Sequence, residues 1–485
     1  MTHDATMDPH FSTPSYGFQP SATQNKLGTS TNDPALLHRS LAHKPETVTH
    51  ASGLTLTLSD GRTIIDACGG AAVSCLGHGN EEVVSAAIEQ MHKVSYVHTG
   101  AYTTSAAEDL ANVILEHGQQ YGLEKAFFCS SGSEAMDAAL KLARQYFYEM
   151  PDAIGRGRKN FVARKQGYHG VTIGAMSVSS NLPRKVPFEP LLLPNVSHVS
   201  PAYAYQYQRT DETDAEYVAR LAKELDDECH RLGPDTVIAF VAEPVVGATT
   251  GCVTAPAGYF KAVREVCDKY GILLILDEVM CGMGRTGTQF AFEQEGVVPD
   301  IMTVGKGLGG GYAPIAGVVV SKRVVDVLRD GTGMFNHGQT YQAHPLSCAT
   351  ALAVQKIIQR EDLVARCKTM GDILEKLLGK AFNNEISKYI GNIRGRGLFW
   401  GIEFVANKRT REPFPPSVEF GLRVQKKAFE LGVAIYPGVA TVDGVRGDNV
   451  LLAPPYTVGE HDLRRIVEVV EIAYAEVESE VEGEI

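Results

Sequence analysis

The sequence predicts an α/β protein: a mostly parallel sheet covered by helices, joined to a smaller α+β part. Three observations predict it. From about residue 80, short runs of strand length alternate with helical stretches. Those short runs are continuously apolar, as strands buried on both faces must be. From about residue 346 the order changes to helix, strand, helix.

The elements follow in chain order. Residues 1–34 contain no Arg, include Asp4, Asp8 and Asp33, and are rich in Ser, Thr, Pro and Gln. They fit neither a secretory signal nor an Arg-rich transit peptide and read as a flexible tail. GLTLTLSDGRTIIDA (53–67) alternates Leu54, Leu56 and Leu58 before a Ser-Asp-Gly-Arg turn, a hairpin signal. Strands are expected in KAFFCSS (125–131), FVARKQ (161–166), VIAFVAEP (237–244), ILLILDEV (272–279), IMTVGK (301–306) and AGVVVS (316–321). AGYFKAVREVCDKYG (257–271) reads as a helix closed by a C′ glycine. YAYQYQRTDETDAEY (203–217) reads as a polar surface insertion. A long amphipathic run to about 381, then IRGRGLFWGIEFV, then VEFGLRVQKKAFELG complete the chain. The expected division is a tail (1–34), an N-terminal hairpin and helix that join the small domain (35–95), a large domain (96–345) and a C-terminal small domain (346–485).

Composition narrows the function classes. Apolar residues make up 44% and charged residues 21%, as in an ordinary globular protein. A net charge of −12 argues against nucleic acid or an acidic membrane surface as partner. The 9 Cys include no C-x-x-C pair, so no zinc knuckle or disulfide framework is indicated, and reduced thiols in a cytoplasmic compartment are expected. No apolar run approaches the roughly 18 residues of a membrane span.

Chemistry concentrates at strand ends. In ILLILDEVMCGMGR (272–285), Asp277 and Glu278 terminate a buried run. An unpaired buried carboxylate is costly, so at least one of them needs a lasting partner. For Asp277 a helix cap, a salt bridge to Arg285 or a heteroaromatic cation would each serve, the last making an electron sink. In CSSGSEAMDAALKLARQYF (129–147), Ser131 and Glu134 have capping-box spacing. The free N–H groups after Gly132 can hold a phosphate, although an ordinary capped helix accounts for the same residues. Lys306 stands between an apolar strand and a glycine-rich loop. A walled-in amine has a lowered pKa and acts as a nucleophile; the alternative is a lysine snorkelling to solvent. The Walker spacing is absent, which excludes nucleoside-triphosphate hydrolysis of that kind. Tyr168-His169-Gly170 offers a flat ring. No cluster has metal-ligand spacing, and no metal is expected.

Taken in order, these residues resemble the class III, or ω-type, pyridoxal-phosphate aminotransferases of fold type I. The likeness spans about 38–475 and rests on SGSEA (131–135), YHG (168–170), AEPV (242–245), LDEV (276–279), GRTG (284–287), GKGLGGGYAPI (305–315) and HGQTYQAHPLSCA (337–349). The resemblance implies a seven-stranded-type sheet and pyridoxal 5′-phosphate as cofactor. It implies that Lys306 forms the Schiff base and shuttles the proton, and that Asp277 binds the pyridinium nitrogen. Tyr168 and Val279 would cover the ring, Gly132 and Ser133 would hold the phosphate, and Glu243 would orient the cofactor on Asp277's side. Ser131 and His169 are implied as further cofactor contacts. Thr340 would reach the phosphate of a neighbouring subunit, giving a homodimer with shared sites.

The implied reaction moves an amino group from an amine or ω-amino acid to a 2-oxo acid such as pyruvate or 2-oxoglutarate, with ping-pong kinetics. An aminomutase, a racemase or epimerase, a decarboxylating transaminase or a non-catalytic relative would retain much of the same pattern. Two departures concern the substrate. In GGAAVSCLGHG (69–79), Ala71, Ala72 and Val73 stand where relatives often carry an aromatic residue, so Ala72 is a candidate substrate contact. Counting back from Pro454 and Pro455 puts Gly444 where relatives use a carboxylate-binding Arg, which leaves Arg446, two residues on, as the candidate. Met280 also replaces a residue that relatives often have as polar.

Overall fold

The computed structural model describes residues 35–42, 44–151, 153–382 and 387–484; the expected tail, 1–34, lies outside them. A seven-stranded sheet runs in the order Leu123–Cys129, Ala316–Ser321, Ile301–Val304, Leu273–Asp277, Val237–Ala242, Asn160–Arg164, Val196–Val199. Six strands point one way, and Ala316–Ser321 runs against both of its neighbours. Its reversal has a simple cause. Only the loop 305–315, without a crossover helix, separates it from Ile301–Val304, and a short connection returns a strand antiparallel.

The apolar runs bury both faces with period two. Ile275 and Leu273 pack with Ala135, Ala138, Ala139 and Leu142 of the helix Gly132–Glu149. Leu274 and Leu276 pack on the other face with Leu110, Ile114, Phe260 and Val263 of the helices Ser105–Gly118 and Tyr259–Tyr270. Gly271 closes the latter helix in the left-handed conformation, as expected.

The remaining elements combine both ends of the chain. Thr55–Leu58 and Thr63–Asp66 form the expected hairpin, extended by Val48–Ser52 on one side and by Val433–Ala434, parallel, on the other. A four-stranded antiparallel sheet has the order Ile390–Arg396, Phe399–Phe404, Asp448–Leu452, Tyr436–Val439. Ala67, Cys75, Leu76 and Val83 share one core with residues of 353–481. The long amphipathic run is two helices, Pro345–Arg360 and Leu363–Ala381, broken at Asp362, whose φ is +50°. All nine cysteines are free and buried. No helix among the described residues is long and apolar enough to cross a membrane.

Two stretches add to what the sequence shows. VSHV (196–199) is the edge strand of the large sheet, and its short polar sequence gave no strand pattern. The stretch 203–217 lies largely at the surface, as expected, but both of its ends are anchored in the interior. Tyr203 and Tyr217 are buried, with the Tyr217 hydroxyl donating to Pro201 O at 3.0 Å and Tyr203 to Glu403. Thr213 starts the helix Asp214–Leu232 with a capping box to Glu216. Tyrosine buries its ring while its hydroxyl keeps a partner, so a polar reading of these residues misleads.

Candidate active site

The parallel strands deliver their chemistry to one edge of the sheet, where their carboxyl ends meet. Asp277 is the last residue of its strand, Lys306 and Glu243 follow theirs closely, and Tyr168 and Gly132 lie in the turns after two more. A cavity of about 290 Å³ there is lined by Gly132, Ser133, Tyr168, His169, Glu243, Asp277, Val279 and Lys306 together with further residues named below.

The two neighbouring acids face different surroundings. Asp277 accepts from Thr303 Oγ1 at 2.9 Å, from the Val279 amide at 3.1 Å and from His169 Nδ1 at 2.8 Å. Thr303 is its direct partner across the sheet. An ionised carboxylate only accepts, so His169 carries its proton on Nδ1. His169 is itself fixed by the bond from its amide to Ser179 Oγ, 2.8 Å. Glu278 turns into the interior and accepts from the amides of Ala291 and Phe292 at 2.6 and 2.7 Å. Burial pushes its carboxyl up to about 8. Arg285 partners neither acid; it donates to Leu398 O and Pro454 O and lies over the Tyr456 ring.

Lys306 has a φ of +43°, an uncommon conformation for a residue with a side chain. Its Nζ makes no hydrogen bond or ion pair among the described residues. Burial draws its pKa down to about 8, against the opposing pull of the Glu243 and Asp277 carboxylates. Glu243 accepts from the amides of Tyr168 and Gly247, each at 3.0 Å, and burial raises its carboxyl above the ordinary range.

The turn before the helix Gly132–Glu149 is open toward the cavity. Ser131 caps the helix by accepting from the Glu134 amide at 3.3 Å, and Glu134 accepts from the Ser130 amide at 2.9 Å. The first helical amides have no partner within a helix and carry its positive end. A Cβ on Gly132 would stand 2.9 Å from Val279 Cγ1, so a side chain there would fill the cradle. Gly170 has a φ of +128°, and its Cβ would meet Ser133 Oγ at 2.6 Å. Ser133 Oγ in turn accepts from the Val171 amide at 3.0 Å.

Some candidates from sequence lie elsewhere. Ser131 stands at the helix start outside the lining, and Thr340 is exposed. Ala72 is buried behind the wall, and its neighbour Ala71 lines the cavity instead. Arg446 is exposed and paired with Asp443 Oδ2 at 2.8 Å, away from the lining. Sequence reasoning did not find Thr303, Asn181, Arg184, Thr249 or Tyr436. Thr303 left a signal: it is the lone polar residue of the strand IMTV.

Comparison with known proteins agrees with this arrangement. Residues 38–473 match the family model for aminotransferase class-III. The chain is 50% identical over 434 residues to an uncharacterized aminotransferase of Schizosaccharomyces pombe, with 89% of this chain and 93% of that protein covered. It is 36% identical to the chloroplastic gamma aminobutyrate transaminase 3 of Solanum lycopersicum, covering 84% and 76%. Among solved structures, the omega transaminase from Pseudomonas jessenii in complex with PMP superposes with a TM-score of 0.83 at 31% identity, covering 89% of this chain and 93% of that one. A PLP-bound amine transaminase from an uncultivated Pseudomonas species gives a TM-score of 0.83 at 30% identity, covering 95% and 100%.

Proposed function

The chain belongs to the class III aminotransferases, and on that premise we propose that it holds pyridoxal 5′-phosphate between Lys306 and Asp277. It is an enzyme of amino-group transfer. The cavity residues fit the cofactor. The open helix start at Gly132 and Ser133 suits its phosphate, with Ser131 as the cap that sets those amides. Tyr168 and Val279 offer the two faces for its ring, and His169 fixes Asp277 for the ring nitrogen. Glu243, tied to the Tyr168 amide, positions the aromatic wall.

When bound, the cofactor supplies an aldehyde that bonds the substrate nitrogen and a protonated ring that accepts electrons from the substrate carbon. The residues do the rest. Asp277, held by Thr303, Val279 and His169, would accept the hydrogen bond of the protonated ring nitrogen. Lys306 Nζ holds the cofactor at rest, then takes the proton from the carbon bearing the nitrogen and returns one. Its pKa of about 8 leaves part of the amine unprotonated near neutral pH.

We assign an amine or ω-amino acid as donor and a 2-oxo acid such as pyruvate or 2-oxoglutarate as acceptor, using the cavity in turn with ping-pong kinetics. The unit is a homodimer in the cytoplasm, with Thr340 of each copy reaching the other's phosphate. Nine free, buried cysteines suit a reducing compartment. The shared core of residues 67–83 and 353–481 supports one small domain built from 35–95 and 346–485 around a large domain, 96–345.

One observation carries the reading: a half-buried amine at 306, with no hydrogen bond or ion pair among the described residues, and a triply held carboxylate at 277 line the same cavity. Lys306→Ala should abolish both the visible absorbance of bound cofactor and turnover; an active, yellow variant refutes it. In the wild type, consumption of 2-oxo acid in step with the donor and without carbon dioxide release separates transfer from the mutase, racemase and decarboxylating alternatives.

A further inference from the structure

We propose that Arg39, at the mouth of the cavity, takes the substrate carboxylate, with the Tyr436 hydroxyl as a second donor. The acceptor, and any amino-acid donor, is then recognised in part by the N-terminal segment. The proposal deepens the amino-transfer reading and rests on it.

The position expected to supply a guanidinium has none. Gly444 carries no side chain, and Arg446 is exposed and held in its own turn, where Asp443 accepts from its amide at 2.7 Å and from its Nε at 2.8 Å. A carboxylate entering the cavity beside Asp277 and Glu243 meets like charges, so a cation from elsewhere is needed to hold it.

Besides Lys306, two arginines line the cavity, and they differ in what holds them. Arg184 is already engaged, its guanidinium carbon 5.2 Å from the centroid of the Tyr168 ring. Arg39 makes no hydrogen bond, ion pair or ring contact among the described residues. The acids of the lining do not claim it, because Glu243 accepts from two amides and Asp277 from Thr303, Val279 and His169. Core packing does not pin it either: Arg39 is exposed, as are Leu36, Leu37 and Leu41 around it. A free planar guanidinium matches a carboxylate through two parallel N–H···O bonds. The C-terminal four-stranded sheet adds a neutral donor. Tyr436 lines the cavity from the strand Tyr436–Val439, and its ring packs against Ala72, Phe399 and Leu451. Its hydroxyl has no partner among the described residues and is not enclosed by protein. A phenol can donate to a carboxylate. Gly132, Ser133 and Asp277 stand at strand ends and turns of the seven-stranded sheet, whereas Arg39 and Tyr436 come from outside it. The cofactor is thereby assigned to the side of the large sheet, and the carboxylate to the side of Arg39 and Tyr436. Ala71, Met280 and Val439 add lining without charge, which suits a short carbon chain between the amine and the acid.

The test uses the full chain loaded with pyridoxal phosphate, as wild type, Arg39→Gln, Arg39→Lys, Tyr436→Phe and Arg446→Gln. Propionate, a carboxylate with no reacting group, is titrated by calorimetry; KM is measured for pyruvate and for propanal, which lacks the carboxylate. Water screens a charge-assisted contact at an exposed side chain, so an effect of about fivefold is expected. Arg39→Gln should weaken propionate and raise the pyruvate KM by about that factor, with the propanal KM moved less than about twofold. Arg39→Lys should recover part of the loss, and Tyr436→Phe should weaken propionate by about threefold. Cofactor release on dialysis separates the two anions of the cavity. It should be the same in Arg39→Gln as in the wild type; faster release with propionate affinity intact would assign Arg39 to the cofactor phosphate and overturn the proposal. Propionate affinity unaltered in Arg39→Gln or in Tyr436→Phe, no propionate binding to the wild type, or the loss appearing in Arg446→Gln instead would each overturn it as well. A wild type that binds propionate through Arg39 yet transfers no amino group would refute the function proposed above and leave the carboxylate site standing.

Discussion

At the scale of single residues, the role proposed for Lys306 sets the pH behaviour to be expected. Lys306 must be neutral to attack a carbonyl, and burial brings its pKa to about 8. Below that value the amine is mostly protonated; above it, mostly free. Capture of pyridoxal phosphate by the cofactor-free protein, followed by growth of visible absorbance, should accelerate about fivefold from pH 7 to pH 8 and level off above about pH 9. A profile still climbing steeply past pH 10 would mean an ordinary exposed lysine. The identities of both residues were legible in the sequence, because each is a charge at the end of a run that tolerates none. The partners of Asp277 were not. A histidine 108 positions away comes into contact only when two strand ends are brought together, and no local pattern encodes that.

Among elements, the turns after the strands matter more than the strands. Gly170→Ala should force the alanine into a left-handed backbone and push it against Ser133. Strain of about 1–3 kcal/mol is expected, felt at the helix start where the phosphate would bind. Cofactor release, measured by dialysis and absorbance, should become easier by about tenfold, while circular dichroism stays that of the folded protein. Retained affinity would show that the Gly170–Ser133 contact does not shape the site. Strands with five or six apolar residues were readable from sequence alone, since continuous burial leaves a continuous pattern. The edge strand Val196–Val199 escaped because an edge is covered on fewer sides and its residues are only partly buried. The reversal of Ala316–Ser321 was hidden for another reason: direction depends on the length and path of the connection, while composition records only burial.

For the molecule as a whole, exposed apolar side chains give the proposed dimer a testable surface. Val84, Ile88 and Met91 on the helix Glu81–Lys93 are exposed, as is Tyr341, whose ring meets Tyr96 edge-on at 6.3 Å. Tyr341 adjoins Thr340, the residue assigned to the partner's phosphate. Val84, Ile88 and Met91 recur at helical spacing, and an exposed apolar helix face commonly marks an interface. Sedimentation should give about twice the chain mass of 52.4 kDa. Ile88→Glu combined with Met91→Glu should bring it toward a single chain and lower bound cofactor; a dimer unaffected by both charges would place the interface elsewhere. The motifs made the family architecture legible over most of the chain, whereas the candidates Ala72 and Arg446 do not line the cavity. Which residues face the cavity there is decided by packing at close range, which no local pattern records.

The backward strand has one more effect. Because Ala316–Ser321 lies directly beside Ile301–Val304, both feet of the loop bearing Lys306 are clamped to adjacent rungs of the same ladder. The backbone under the amine has little room to drift, and its travel is the swing of four methylene groups about a fixed pivot. Changes in the turns around the cavity can then accumulate without moving the backbone that carries the amine.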